Sequence, residues 1–486
     1  MKKVEDKENV TVKNSEKAFS SINAKSFISV VAILVVLIAI CGILTLIIPQ
    51  GAFARTESGE IIADTFTQGS VKGIEFWRII TAPFRVFASS SGLTIIMISI
   101  FLLVMSGVFN LLEKTDGMKI IMSRIVGRFG RKKKTVLCFC ILFFMLFGSL
   151  FGLFEELVTL LPFMIVFMLS MGFDTMTGLG VCMLAACFGF AAAITNPFSI
   201  GIASTFAGIS TMSGIWLRLI FFAIVFGLVC LFIFRYTKKI SLNPEKSLSF
   251  EIDKVKRASL NFDLGEVTAR ENRIFKVYII FFAIQFVLLV SIALIRAISD
   301  FAIPILAVSF LIGGIICGLL VVEDKKKVFA YMGKGALAML PAVLLIALAS
   351  SVNLIMQESG ILDTIMNSVI NYLDGKSIFV VVLLIYLLVL ILQVFIGSAS
   401  AKIFLVMPIL LPICSVIGIS PTLLILVYCM ADGFTDVFLP TNPVLLIGLS
   451  MANVSYGKWV KWTWKMQIVM LLVSFLVLFF GVQVGL

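Results

Sequence analysis

Histidine is absent from this 486-residue sequence, and charged residues make up only 14% of it. The first absence removes imidazole proton relays and most zinc or haem sites. The second, beside 60% hydrophobic residues, leaves too little polar side chain to cover a water-soluble protein,. Cysteine is missing from the polar loops: Cys41, Cys138, Cys140, Cys182, Cys187, Cys230, Cys317, Cys414 and Cys429 all lie in apolar segments. That excludes a loop disulfide framework and assigns them to small-hydrophobe packing. A phosphate-binding loop is lacking too, because Gly375-Lys376-Ser377 has the end of the motif but Ile370 stands where its first glycine belongs,. With no metal constellation and no nucleophile–base pair placed together, an enzyme is not expected.

What is present is a series of apolar runs of about 20 residues, the length that crosses about 30 Å of hydrocarbon. They recur from Phe27 to Val484 with short polar gaps, so the chain reads as an all-α polytopic membrane protein. The net charge of +12 falls in alternate loops, which signals orientation in a bilayer rather than nucleic-acid binding,. A polar cytoplasmic tail (1–26) precedes the first transmembrane half (27–235). A charged cytoplasmic linker (236–276) leads to the second half (277–486). The run at 27–48 is too long for a signal-peptide core and is expected to remain as the first span,.

Proline is scarce, with only 12 in the chain, so its recurrence is informative. Thr195-Asn196-Pro197 recurs as Thr441-Asn442-Pro443, and the same offset of 246 relates Pro162 to Pro408, Gly172 to Gly418 and Trp216 to Trp462. The halves are copies. In each, a span is followed by a hairpin (135–171 and 378–419), a broken segment (175–208 and 421–452) and a closing span, giving about nine spans plus two hairpins. The loop after the first copy's opening span (113–134) holds eight Lys or Arg, whereas its counterpart (357–377) holds only Lys376 beside Glu358, Asp363 and Asp374. Equivalent loops therefore belong on opposite sides, and the repeats have inverted topology. Re-entrant and twice-crossing hairpins give the same parity.

Paired interruptions at matching places in two halves point to a transporter's binding site. Pro197 and Pro443 lack an amide hydrogen and disfavour helix at the preceding residue, so Asn196 and Asn442 should sit in non-helical backbone facing protein or a cavity. The acidic groups at membrane depth are Glu155 and Glu156 at the first hairpin, and Asp432 with Asp436, four apart and on one face if helical,. Lys402, read as the lone basic residue deep in an apolar segment, is a candidate counter-ion. Ser398 and Ser400, flanked by small residues, would let backbone approach a ligand. Four carboxylates against one lysine suit a cationic cargo or a coupled sodium ion or proton. A channel is the non-carrier alternative, which the duplicated breaks argue against.

The chain resembles the YfcC family, in the four-carbon dicarboxylate anaerobic carrier-like group of the ion transporter superfamily. The resemblance rests on Glu155-Glu156, Met171-Gly172-Phe173-Asp174, Asn196-Pro197-Phe198, Ser398 and Ser400 before Met407-Pro408, and Asp432-Gly433-Phe434-Thr435 before Pro440-Thr441. It implies an inner-membrane secondary carrier, elevator-type and commonly homodimeric. Members are labelled basic amino-acid antiporters, such as arginine/ornithine exchangers, or dicarboxylate carriers. Phe154, Ala399, Ala401 and Lys402 depart from the family's usual glycine, glycine, glycine and small or uncharged polar residue. Small-molecule exchange within a lipid bilayer is the expectation, with no nucleic-acid partner and no cofactor beyond a sodium or proton coupling ion.

The charge pattern places the amino terminus in the cytoplasm and the carboxyl terminus outside. A fluorescent protein fused before Met1 should fluoresce in intact cells, and alkaline phosphatase fused after Leu486 should be active; an inactive phosphatase there would reverse the assignment.

Overall fold

A segment in hydrocarbon has no water for its backbone N–H and C=O groups, so they pair along the helix itself. The chain is accordingly almost wholly helical in the computed structural model, which describes residues 24–55, 62, 65–69, 74–90, 92–117, 119–121, 124, 132–259, 268–295, 301–373 and 376–485. Helix α1 (Ala24–Ile47) leads to a short antiparallel ribbon, β1 (Gly51–Ala52) with β2 (Thr67–Gln68). Helix α2 (Phe76–Arg85) exposes Phe76, Trp77, Ile80 and Phe84, an aromatic face of the kind that suits a membrane surface,.

The first repeat opens with α3 (Gly92–Lys114). Its hairpin is α4 (Lys133–Leu146), continued by a π-helical turn at Phe147–Phe151, and α5 (Leu161–Ser170). The broken segment holds α6 (Thr175–Leu179), α7 (Ala185–Ala191) and, beyond Asn196, α8 (Ile202–Ala207). Helix α9 (Ile215–Leu242) closes it. The linker carries α10 (Phe250–Ser259), and α11 (Ala269–Leu294) and α12 (Ala302–Val321) lie where the two additional spans are expected. In the second repeat α13 (Lys325–Ala338) runs through Pro341 into α14 (Leu340–Glu358), and α15 (Ile361–Leu373) follows. The hairpin is α16 (Ile378–Phe395) with α17 (Ala399–Ile417), the broken segment α18 (Pro421–Ala431) with α19 (Pro443–Ala452), and the closing span α20 (Tyr456–Gln483). Among the described residues, seven helices are long and apolar enough to cross a membrane, and the broken segments supply shorter apolar ones.

Two sets of contacts express the inversion. Trp216, near the start of α9, packs on Phe480 near the end of α20, while Trp462, near the start of α20, packs on Phe232 in the second half of α9. The equivalent closing spans are therefore antiparallel. At the amino-terminal side of α3, Arg85 and Arg78 on α2 pair with Glu358, and Arg55 pairs with Asp363. The second copy's loop thus meets the start of α3, whereas the first copy's loop follows its far end, about 35 Å away at 1.5 Å per residue. Packing is reciprocal as well: α8 lies against α17 of the other copy's hairpin, and α19 against α5.

The linker is more than a divider. Asp253 on α10 accepts bonds from Thr175 N (3.1 Å) and Ser249 Oγ (2.7 Å), while Lys256 Nζ donates to Ala452 O (2.8 Å). Helix α10 thereby joins the start of one broken segment to the end of the other. Burial pushes the Lys256 ammonium down to about 8 and the Asp253 carboxyl up, with Thr175 and Ser249 opposing the latter,.

The hairpin reaches the broken segment through glycines. A Cβ on Gly189 of α7 would overlap Met145 O, and one on Gly148 would overlap Ala186 O, so the two helices touch backbone to backbone,. Gly189→Val should destabilise the protein by about 1–3 kcal/mol through overpacking. It should lower the melting temperature in detergent, whereas Gly227→Ala, with nothing within 4 Å of the added carbon, should not.

Candidate functional site

Both Asn-Pro breaks are non-helical: Asn196 has φ −38°, ψ 114° and Asn442 φ −84°, ψ 114°. In each, the asparagine caps the helix that its proline begins. Asn196 Oδ1 accepts from Phe198 N (2.9 Å), and Asn442 Oδ1 from Val444 N (2.9 Å) and Leu445 N (3.4 Å),. The first break is held by the hairpin turn. Ser149 O accepts from the amides of Ile194, Thr195 and Asn196, Ser149 Oγ donates to Ala192 O (2.6 Å), and Thr195 Oγ1 donates to Leu150 O (3.0 Å). Gly152 (φ +69°) closes against Asn196 so tightly that a side chain there would strike its amide oxygen.

The carboxylates gather at the second break. Helix α18 ends at Ala431, Asp432 is extended (φ −84°, ψ 146°) and Gly433 is left-handed at φ +96°. The expectation that Asp432 and Asp436 share a helical face is therefore corrected: a non-helical stretch carries Asp436, and the loop rather than a helix brings the pair together. Lys402 Nζ donates to Asp432 Oδ1 at 2.7 Å with both side chains essentially inaccessible. Asp436 is hydrogen-bonded by Gln393 of α16, faced by the Asn442 side chain and within electrostatic reach of Lys402 and Asp432. Thr441, Asn442 and Asp436 are all buried. The first copy contributes from outside: Gly433 packs on Phe190 and Ala191, and Cys187 Sγ donates to Gly433 O (2.8 Å).

Buried polar atoms at the breaks that lack a protein hydrogen-bond partner include Asp432 Oδ2, Gln393 Oε1, Thr435 Oγ1, Asn196 Nδ2 and Ser199 Oγ. Each costs about 1–3 kcal/mol when unsatisfied, so they are groups able to receive a ligand or ion.

Other expected site residues lie differently. Glu155 is exposed and borders a small hollow with Ile98, Phe101, Leu102 and Val444, beside α19 rather than in the Lys402 cluster. Among the described side chains, the expected four-carboxylate cavity therefore brings together Asp432 and Asp436 and not Glu155. The side chains of Glu156 and Ser400 lie outside the described residues. Ser398 is exposed and caps α17 at Ala401 N (3.4 Å). Pro197 is half-buried and Pro443 opens α19.

Lys402 is also not the only basic residue at depth. Arg218 on α9 is buried and donates to Ile194 O (2.7 Å), Thr211 O (2.6 Å) and Ser213 O (2.9 Å), bracing the first break. Arg218 and Gln393 were both legible as lone polar residues in apolar helices.

Truncating one member of a buried ion pair leaves the other uncompensated, at about 3–5 kcal/mol. In sodium-free detergent Lys402→Met and Asp432→Asn should each lower the melting temperature strongly. The double variant should recover most of the loss, and strictly additive losses would deny the pairing.

Among known proteins, the chain is 27% identical over 386 residues to an uncharacterised protein of Haemophilus influenzae (78% of this chain, 74% of that one). It is 25% identical over 400 residues to the putative basic amino acid antiporter YfcC of Escherichia coli (78% and 76%). Among solved structures, the Alcanivorax borkumensis YdaH transporter aligns over 95% of this chain and 98% of its own at 18% identity and a TM-score of 0.41. MtrF of Neisseria gonorrhoeae aligns over 96% of each chain at 14% and 0.40. The model of the DcuC family, the C4-dicarboxylate anaerobic carriers, matches residues 27–483, nearly the full length, and the chain belongs to that family.

Proposed function

We propose that this transporter exchanges small basic amino acids of the arginine–ornithine type across the cell membrane, at a site built by the two hairpins and the two Asn-Pro breaks. The observation that carries the reading is the charge of the buried cluster. Lys402 neutralises Asp432, and Asp436 remains, held by Gln393 and Asn442, as the carboxylate able to meet a cationic group,. Unpaired acceptors at Asp432, Gln393 and Thr435 would take ammonium or guanidinium donors, and Asn196 Nδ2 offers a donor to a carboxylate,. The relative named a putative basic amino acid antiporter agrees with this cargo. Movement of the site as an elevator within a homodimer completes the proposal.

A dicarboxylate carrier coupled to sodium or protons is the second reading, favoured by the family's description and by the buried cations Lys402 and Arg218. Proteoliposomes loaded with ornithine should take up labelled arginine and not labelled succinate; succinate uptake without arginine uptake would reverse the assignment. Asn442→Ala should cut the exchange by about tenfold or more, because it removes the contact to Asp436 as well as a cap worth about 1 kcal/mol,. Wild-type rates in both Asn196→Ala and Asn442→Ala would make the breaks purely structural.

A further inference from the structure

Lys402 and Asp432 both sit where their own helices oppose them. Lys402 lies in the first turn of α17, whose N-cap is Ser398, so its positive charge is placed at the positive end of the helix dipole,. Asp432 is the residue on which α18 ends, so its negative charge is placed at the negative end,. Neither placement stabilises a helix, and both side chains are buried. A carboxylate at a buried helix C-terminus needs a cation, which protein sites of this kind draw either from solution or from a side chain. Here the ammonium is 2.7 Å from Asp432 Oδ1, while Asp432 Oδ2 accepts no hydrogen bond from a protein group, the neighbouring Tyr428 hydroxyl donating to Ala399 O. The carboxylate is built for more coordination than one ammonium supplies.

We propose that the Lys402 ammonium is a tethered cation standing in the place of a free coupling ion at Asp432, so that transport is independent of sodium, and that removing the ammonium converts the position into a sodium site. The tether holds the cation in the site through every cycle, so that position contributes no ion gradient to the work of transport. An exchanger, driven by the gradient of its cargo, needs none there.

The inference rests on the reading of the Asp432–Asp436 cluster as the transport site, but its test needs no cargo. Purified full-length protein is melted in choline chloride and in rising sodium chloride at constant ionic strength, and binding of radiolabelled sodium is measured alongside. Wild type should bind no sodium, with a melting temperature that is indifferent to the exchange. Lys402→Met should gain saturable sodium binding and a melting temperature that rises with the logarithm of sodium concentration. Both should vanish in Lys402→Met/Asp432→Asn. If Lys402→Met does not accumulate, Lys402→Gln carries the same comparison. Sodium binding by wild type that Asp432→Asn abolishes would overturn the proposal, as would a folded Lys402→Met that remains indifferent to sodium. Failure of arginine exchange leaves these readouts untouched, and sodium binding by wild type leaves the arginine reading standing.

Discussion

The architecture turns on satisfying, inside hydrocarbon, the backbone that two prolines set free. A helix interrupted at Pro197 cannot lean on water, and the groups it releases are met by one hairpin turn, chiefly the carbonyl of Ser149 taking three successive amides,. That single acceptor explains much of the first repeat. The hairpin must come close enough to reach the break, which demands glycine at 148, 152 and 189, and Arg218 must cover the carbonyl of Ile194 on the other side. The second break solves the same problem differently, through Asn442 capping α19 and a turn at Asp432–Leu439.

The inverted copies then lend elements to each other. Helix α8 of the first broken segment lies on α17 of the second hairpin, and α19 of the second broken segment lies on α5 of the first. Helix α10 of the linker ties the outer ends of both broken segments through Asp253 and Lys256. The candidate site is consequently shared: its charges come from the second copy, while Cys187, Phe190 and Ala191 of the first form part of its wall. At the 246-residue offset Lys402 corresponds to Glu156, so the duplicated hairpins carry opposite charges at equivalent positions.

Composition, hydropathy and loop charge were enough to read the helical membrane class, the two copies, their inversion and the non-helical backbone at Asn196 and Asn442. These follow from local rules: apolar length, the missing proline amide and the asymmetric distribution of Lys and Arg. Spacing misled at Asp432 and Asp436, because a four-residue interval implies a shared face only while the helix lasts, and Gly433 ends it,. Counting misled at Glu155, since an acidic residue in an apolar stretch says nothing about which way a hairpin turn points.

The sequence alone determined where the chain breaks and that it breaks twice in mirror fashion, because proline chemistry and repeat offset are written in one dimension. Only the tertiary structure decided which charges meet. The Lys402–Asp432 pair joins residues 30 apart from two different helices, Gln393 reaches Asp436 across 43, and Arg218 finds carbonyls rather than a carboxylate. Charge pairing in a low-dielectric interior is set by distances of a few ångströms between packed elements, and no spacing along the chain encodes them.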